Sequence, residues 1–387
     1  MITPEELENH EFPISRYLSQ KAARMSSPLN GIFELTGRCN LNCKMCYVHN
    51  QSQQDVAAMQ QKELSVSQWV KIAEQAREAG LVFLLLTGGE AMLRKDFLQL
   101  YQKLSTMGFR LVINSNGSLL TQSVLDCFSK YPPARVNVSV YGASNESYQS
   151  LCGVSVHDRV VQGIHALRQM DVPVRILMTI TPDNVQDMEA VYALSRQEET
   201  LIEMTSYCFP PIRLHDNTWG ENCARFSAEE AGKVMAKRDR LLLQDDQKFA
   251  EKGRMMLTQT GQCLVEGAFP EEEHIGEPSS CGAARNSFWI TWDGKMRPCG
   301  LMDHPQANVL EVGFDAAWQQ MKKEIEKIRL PYECRHCPDK KLCRPCAAMC
   351  LCETGHWDRK PEYLCRMVHS IKEEYRYQLD ALQREAD

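Results

Sequence analysis

Apolar positions along this chain switch repeatedly between helical and strand-like spacing. Ile14, Leu18 and Ala22 recur at helical intervals before Ser26-Ser27-Pro28, which predicts a short lead-in helix within residues 1–30. A repeating pattern begins at Gly31. Ile32–Leu35 reads as a short strand, and Trp69, Ile72, Ala73 and Ala76 form the inner face of a helix that Ser65 or Ser67 can cap and Gly80 ends. Leu81–Leu86 is an unbroken apolar run, as expected of a parallel strand buried on both faces. Phe97, Leu100, Tyr101 and Leu104 mark the next helix. Strands follow at Leu111–Asn114, Arg135–Val140, Val174–Ile180 and Leu201–Tyr207, with helices at Thr121–Phe128, Asp158–Met170 and Val185–Ser195. Six strand–helix alternations predict an α/β fold with a parallel sheet and helices outside it. Six units are too few for the eight-stranded barrel, so a partial (β/α)6 barrel is expected. Ligands of such sheets sit beyond the carboxyl ends of the strands.

The alternation stops after Tyr207. Phe209-Pro210-Pro211 breaks the chain, and Arg213–Cys223 reads as polar loop. Ser227 and Glu230 form a capping box for a helix to about Leu243, and charged residues 245–280 read as a partly helical bridge. Trp289–Trp292, Asp293-Gly294 and Lys295–Pro298 predict a β-hairpin with a tight turn. Met367, Ile371, Tyr375 and Leu379 give a last amphipathic helix an apolar side, expected to pack against the larger domain. The expected division is a lead-in helix (1–30), a barrel (31–225), a bridge (226–280) and a cysteine-rich domain (281–387).

The composition, 43% hydrophobic and 24% charged, is that of a globular protein, and the formal charge of −6 excludes a basic nucleic-acid footprint. No apolar run reaches membrane-span length, and acidic, polar Met1–His10 is no secretory signal, so a cytoplasmic protein is expected. Seventeen cysteines then change the picture. Disulfides are disfavoured in that compartment, so these should be metal ligands, catalytic groups or buried thiols. Three sit at Cys39–Cys46, nine between Cys281 and Cys365, and Cys127, Cys152, Cys208, Cys223 and Cys263 are scattered as expected of small buried hydrophobes.

Cys39, Cys43 and Cys46 have the spacing Cys-x3-Cys-x2-Cys and are followed by Tyr47. Three thiolates leave a metal centre open, whereas a structural zinc site closes with four ligands. This motif resembles the signature of the radical S-adenosylmethionine (radical SAM) enzymes. The resemblance implies that each of the three cysteines binds one iron of a 4Fe-4S cluster, that S-adenosyl-L-methionine takes the fourth iron, and that reductive cleavage yields a 5′-deoxyadenosyl radical. Gly88, Gly89 and Glu90 after the second strand are similar to the family's Gly-Gly-Glu segment, which implies that they hold the amino group of S-adenosylmethionine, with Ala91 where proline is frequent. The resemblance further implies cofactor contacts at Met45, Ser115 and Ser139, with Tyr141 where the family has an acid. Arg159 or Arg175 could reach the cofactor carboxylate. Acid–base candidates are Tyr141, His215, Asp303 and His304, each with a competing structural reading.

Cys281 and Cys299 bracket Gly294, and Cys334-x2-Cys337-x5-Cys343-x2-Cys346 precedes Cys365. This order is similar to the SPASM extension of radical SAM enzymes. It implies one auxiliary cluster on Cys334, Cys337, Cys343 and Cys365 and another on Cys281, Cys299 and Cys346, three 4Fe-4S clusters in all. Cys263, Cys350 or Cys352 could complete the second set, or it could stay open. The resemblance implies an oxidoreductase-type enzyme acting on a ribosomally made peptide or protein by crosslinking, epimerisation or oxidation, with a reductant such as flavodoxin or ferredoxin. The alternatives are a small-molecule cofactor or tetrapyrrole precursor as substrate, or a non-catalytic zinc or iron–sulfur protein.

Overall fold

The computed structural model describes residues 13–48, 59–211, 224–258, 276–279 and 281–386. Helix α1 (Pro13–Met25) leads into strands β1 (Asn30–Glu34), β2 (Phe83–Thr87), β3 (Arg110–Ser115), β4 (Arg135–Ser139), β5 (Val174–Thr179) and β6 (Leu201–Thr205). Between them run helices α2 (Val66–Glu78), α3 (Phe97–Ser105), α4 (Gln122–Lys130), α5 (Asn145–Cys152), α6 (His157–Gln169) and α7 (Met188–Gln197). The six strands are parallel and lie in chain order, which makes the expected partial barrel. Ser65 is the cap of α2: its hydroxyl accepts from the Gln68 N–H, while the Gln68 side chain accepts from the Ser65 N–H.

The strands are not buried on both faces, which corrects the expectation from Leu81–Leu86. Leu84, Leu86, Leu111, Ile113, Val136, Val138, Ile176 and Met178 are sealed under the outer helices, whereas Phe83, Leu85, Val112, Asn114, Ser139, Leu177 and Thr179 are half-buried. An open barrel turns its inner face toward a cavity instead of a second packed layer. Helix α5 was not expected. Ser144 caps it by accepting from the Ser147 N–H, Tyr148, Leu151 and Cys152 bury its inner side, and Gly153 ends it at φ 75°.

The bridge supplies helices α8 (Ala228–Leu243) and α9 (Asp246–Thr258). The cysteine-rich region then continues the barrel's own sheet. Strand β7 (Ser287–Ile290) runs parallel to β1, with Asn30 opposite Ser287 and Phe33 opposite Ile290. The hairpin turns at Gly294 (φ 83°) into β8 (Lys295–Arg297), and β9 (Ala307–Asn308) completes nine strands. Helices α10 (Val309–Val312) and α11 (Phe314–Ile325) follow, and the short helices α12 (Tyr332–Arg335), α13 (Lys340–Cys343) and α14 (Ala347–Thr354) carry Cys334, Cys343, Cys350 and Cys352. The last helix, α15 (Glu362–Ala386), buries Met367, Ile371 and Tyr375 against α8 and α9, so its main partners are the bridging helices and not the barrel. The Tyr375 ring stacks on Phe249 at 5.0 Å, and its hydroxyl donates to Asp239 at 2.6 Å.

Candidate active site

The loop that carries Cys39, Cys43 and Cys46 leaves the carboxyl end of β1 and is held from three sides. The first is the end of β2. The N–H groups of Gly89 and Glu90 donate to the carbonyls of Thr36 and Arg38, both at 2.8 Å. A Cβ on Gly88 would stand 2.5 Å from the Thr36 carbonyl oxygen, and one on Gly89 would stand 2.3 Å from that of Arg38. Both glycines line the cavity, yet the closeness they permit is between two protein backbones.

The second side is an ion-pair network absent from the sequence expectations. Arg38 binds Glu63 through two nitrogens, at 2.8 and 2.9 Å, and the Thr36 hydroxyl donates to the same carboxylate. Arg94 is buried and donates to the carbonyls of Leu35 (2.8 Å) and Leu64 (2.9 Å) and to Asp96. The third side is α5, where the N–H groups of Asn42 and Lys44 donate to the carbonyls of Cys152 and Leu151.

One cavity of about 250 Å³ brings together Cys39, Cys43, Met45, Cys46, Gly88, Gly89, Ser115 and Ser139. Glu90 stands behind its wall, fully buried, and accepts from the N–H groups of Asn116 (2.8 Å) and Met92 (3.1 Å) and from the Ser115 hydroxyl. Burial holds its carboxyl above the usual carboxylate range, partly offset by those donors. Sequence reasoning missed Asn116, whose amide donates to Asn40 at 2.9 Å and reaches Cys39 Sγ at 3.7 Å. It also treated Cys152 as filler, although this buried thiol lies against Cys43. No local signal marks either residue.

Burial pushes the Cys39 thiol up to about 12, and Cys43 is raised by its hydrogen bond with Cys152 and by burial. Such thiols stay protonated until a cation displaces the proton. Tyr141 lines the same cavity and is kept neutral, first by burial and then by Cys43. Arg175 shares the inner face of β5 with Leu177 and Thr179 but sits at the strand's amino end, where it pairs with Glu203, and neither it nor Arg159 lines the cavity. Asp303 and His304 pair with each other on the surface, and His215, Cys223 and Cys263 lie outside the described residues.

Cys334, Cys337, Cys343 and Cys365 line a second cavity of about 330 Å³. Cys281, Cys299 and Cys346 form a third group within electrostatic reach of one another, and burial raises Cys299 to about 11. Among the described residues, no three donors already gather around a point fit for a single ion. Thiols spread around cavities of this size suit a multi-iron cluster, and every group consists of soft sulfur donors.

Residues 33–194 match the family model of the radical SAM superfamily, and residues 281–347 match that of SPASM, an iron–sulfur cluster-binding domain. The AdoMet-dependent heme synthase of Methanosarcina barkeri is 24% identical over 359 residues, covering 88% of this chain and 97% of that protein. The sporulation killing factor maturation protein SkfB of Bacillus subtilis is 24% identical over 311 residues, 78% of this chain and 68% of that one. Streptococcus suis SuiB, solved with its precursor peptide SuiA, superposes with a TM-score of 0.64 at 16% identity, covering 91% of this chain and 80% of that chain. anSMEcpe, solved with AdoMet and a peptide, superposes with a TM-score of 0.65 at 15% identity, covering 92% of this chain and 99% of that chain.

Proposed function

We propose that this chain, a radical SAM enzyme with a SPASM domain, abstracts hydrogen from a ribosomally made peptide or protein at the mouth of its open barrel. The observation that carries the reading is the single cavity shared by Cys39, Cys43 and Cys46 with the ends of β2, β3 and β4. When bound, a 4Fe-4S cluster and S-adenosylmethionine supply reductive carbon–sulfur cleavage and a 5′-deoxyadenosyl radical. Cys39, Cys43 and Cys46 would hold three irons of that cluster. Gly88 and Gly89 keep the cysteine loop pressed on the strand ends, and Met45, Ser115 and Ser139 lie along the wall open to the cofactor. Glu90 acts from behind, fixing Ser115 and Asn116. Tyr141, kept neutral by burial, lines the same cavity, and its side chain hydrogen-bonds with that of Ser139.

The peptide reading draws on the relative SkfB and on fold neighbours solved with peptides. A second reading, a tetrapyrrole substrate, is favoured by the heme synthase that matches this chain over nearly its full length. The reductant is a small flavin or iron–sulfur protein such as flavodoxin or ferredoxin. A reducing cytoplasm suits seventeen cysteines.

The test is anaerobic turnover with dithionite and S-adenosylmethionine. 5′-Deoxyadenosine should form and should vanish in Cys43→Ala. Peptides encoded beside the gene and iron coproporphyrin are then offered in parallel. A peptide mass change coupled to 5′-deoxyadenosine supports the first reading, a changed porphyrin supports the second, and no 5′-deoxyadenosine from iron-loaded protein overturns both.

A further inference from the structure

The Cys281, Cys299 and Cys346 set is one ligand short of the four thiolates that close an iron–sulfur cluster. No cysteine lies in Gly282–Asn286, close after the first of the three. Two further cysteines, Cys350 and Cys352, sit on α14, the helix that Cys346 caps. Both are fully buried. Their positions differ in a way that sorts them.

Leu301, two residues after Cys299, ties one of them to the set. Its N–H donates to Cys299 Sγ at 3.5 Å, and its carbonyl accepts from Cys352 Sγ at 3.7 Å. The sulfurs of Cys299 and Cys352 therefore flank the two backbone groups of one residue. Cys346 Sγ caps the start of the same helix, accepting from the Met349 N–H at 3.4 Å. Six residues separate Cys346 from Cys352, a rise of about 9 Å along the axis. Helical side chains lean toward the amino end, which shortens the axial part of that span.

We infer that Cys352 is the fourth ligand of the auxiliary cluster held by Cys281, Cys299 and Cys346, which closes that cluster to substrate. The inference rests on the auxiliary clusters of the reading above. After burial, the thiols acting most on Cys352 are Cys299 and Cys346. Cys350 is instead within electrostatic reach of Cys334 and Cys343 of the other set as well as of Cys346.

The experiment uses the full chain with Cys39, Cys43 and Cys46 all replaced by alanine, so that only auxiliary clusters remain. Two four-iron clusters give about eight irons per chain. Cys352→Ala in this background should lose about four irons, or about one with the EPR signal of a three-iron cluster. Cys350→Ala should keep all of them. Cys352→Ser should keep its iron with shifted EPR features and reduction potential, because a serine oxygen replaces a sulfur. Retention of the other cluster's four irons reports that the variant is folded. Full iron and an unchanged spectrum in Cys352→Ala overturn the assignment, as does loss in Cys350→Ala instead. A background protein that binds zinc, or no iron, overturns the auxiliary-cluster reading itself, an outcome distinct from either.

Discussion

Single residues around the cysteine loop divide into those that chemistry announces and those that only packing reveals. Cys39, Cys43 and Cys46 are legible because their spacing has few other uses, and Gly88-Gly89-Glu90 because it follows a strand directly. Glu63, Arg38 and Arg94 are not, since a charged residue in a sequence reads as a solvated face until its partner is known. The Glu63 carboxylate is nearly buried, at 8% exposed, and takes both nitrogens of Arg38. Glu63→Gln should therefore destabilise the cluster-free chain by roughly 3 kcal/mol, within the range for breaking a buried pair, read from urea unfolding. Iron at the first cluster should fall with it. Unchanged stability and iron would show that the loop does not depend on the pair. Glu90 predicts a pH effect. Its folded carboxyl lies above the ordinary 4.5, so across the window between the two values the folded chain binds more protons than the unfolded one. Stability contributed by this group consequently falls as pH rises through that window and then levels. Thermal melts of the cluster-free chain from pH 4.5 upward should show this decline, and Glu90→Gln should flatten it. Equal slopes would assign the decline to other groups.

At the scale of elements, periodicity located all six barrel strands to within about two residues, because the strands other than β6 and most of the helices have a sealed apolar face. It missed α5, which offers only Tyr148, Leu151 and Cys152 in eight residues, too short a run to establish a period. It also misjudged the inner strand faces, since an apolar run does not say whether a cavity or a helix covers it. The junction of β1 and β2 is where element geometry becomes most demanding. Gly89→Ala sets a methyl 2.3 Å from the Arg38 carbonyl oxygen, so the backbone must move. Gly108→Ala is the matched control, with φ 84° and nothing within 4 Å of the added carbon. The control should cost about 1–2 kcal/mol from its left-handed backbone alone and leave iron loading intact. Gly89→Ala should cost more and empty the first cluster site. Equal losses in urea midpoints, with equal iron, would mean that the close approach of the two strand ends has no structural consequence.

Across the whole molecule, the cysteine-rich extension is built into the barrel, and this was the least legible feature of all. A hairpin announces its own turn, but nothing local specifies that β7 pairs in parallel with a strand near the other end of the chain. The junction is intimate. Gly31 on β1 leaves room for the Phe288 ring, which a Cβ there would meet at 2.7 Å. Trp289 Nε1 donates to Glu34 at 2.8 Å, and the Leu64 N–H donates to the Trp292 carbonyl at 2.9 Å. Glu34 ends the strand that delivers the cysteine loop, so the extension braces the base of the first cluster site as well as carrying its own cysteines. Truncation after residue 280 would uncover the β1 edge and leave Phe33, which also touches the Phe288 ring, partly exposed. An unpaired strand edge is a template for pairing with another chain. The 1–280 chain is therefore expected to be insoluble or aggregated on size exclusion, and to hold less than one first cluster when refolded anaerobically with iron and sulfide. By contrast, a full-length chain with Cys334, Cys337, Cys343 and Cys365 replaced by alanine keeps β7 and should retain the first cluster while losing one auxiliary cluster. If the truncated barrel instead proved monomeric and fully loaded, the extension would be an appendage and not part of the catalytic fold. The sheet register argues for the opposite outcome, because β7 covers the β1 edge along most of that strand.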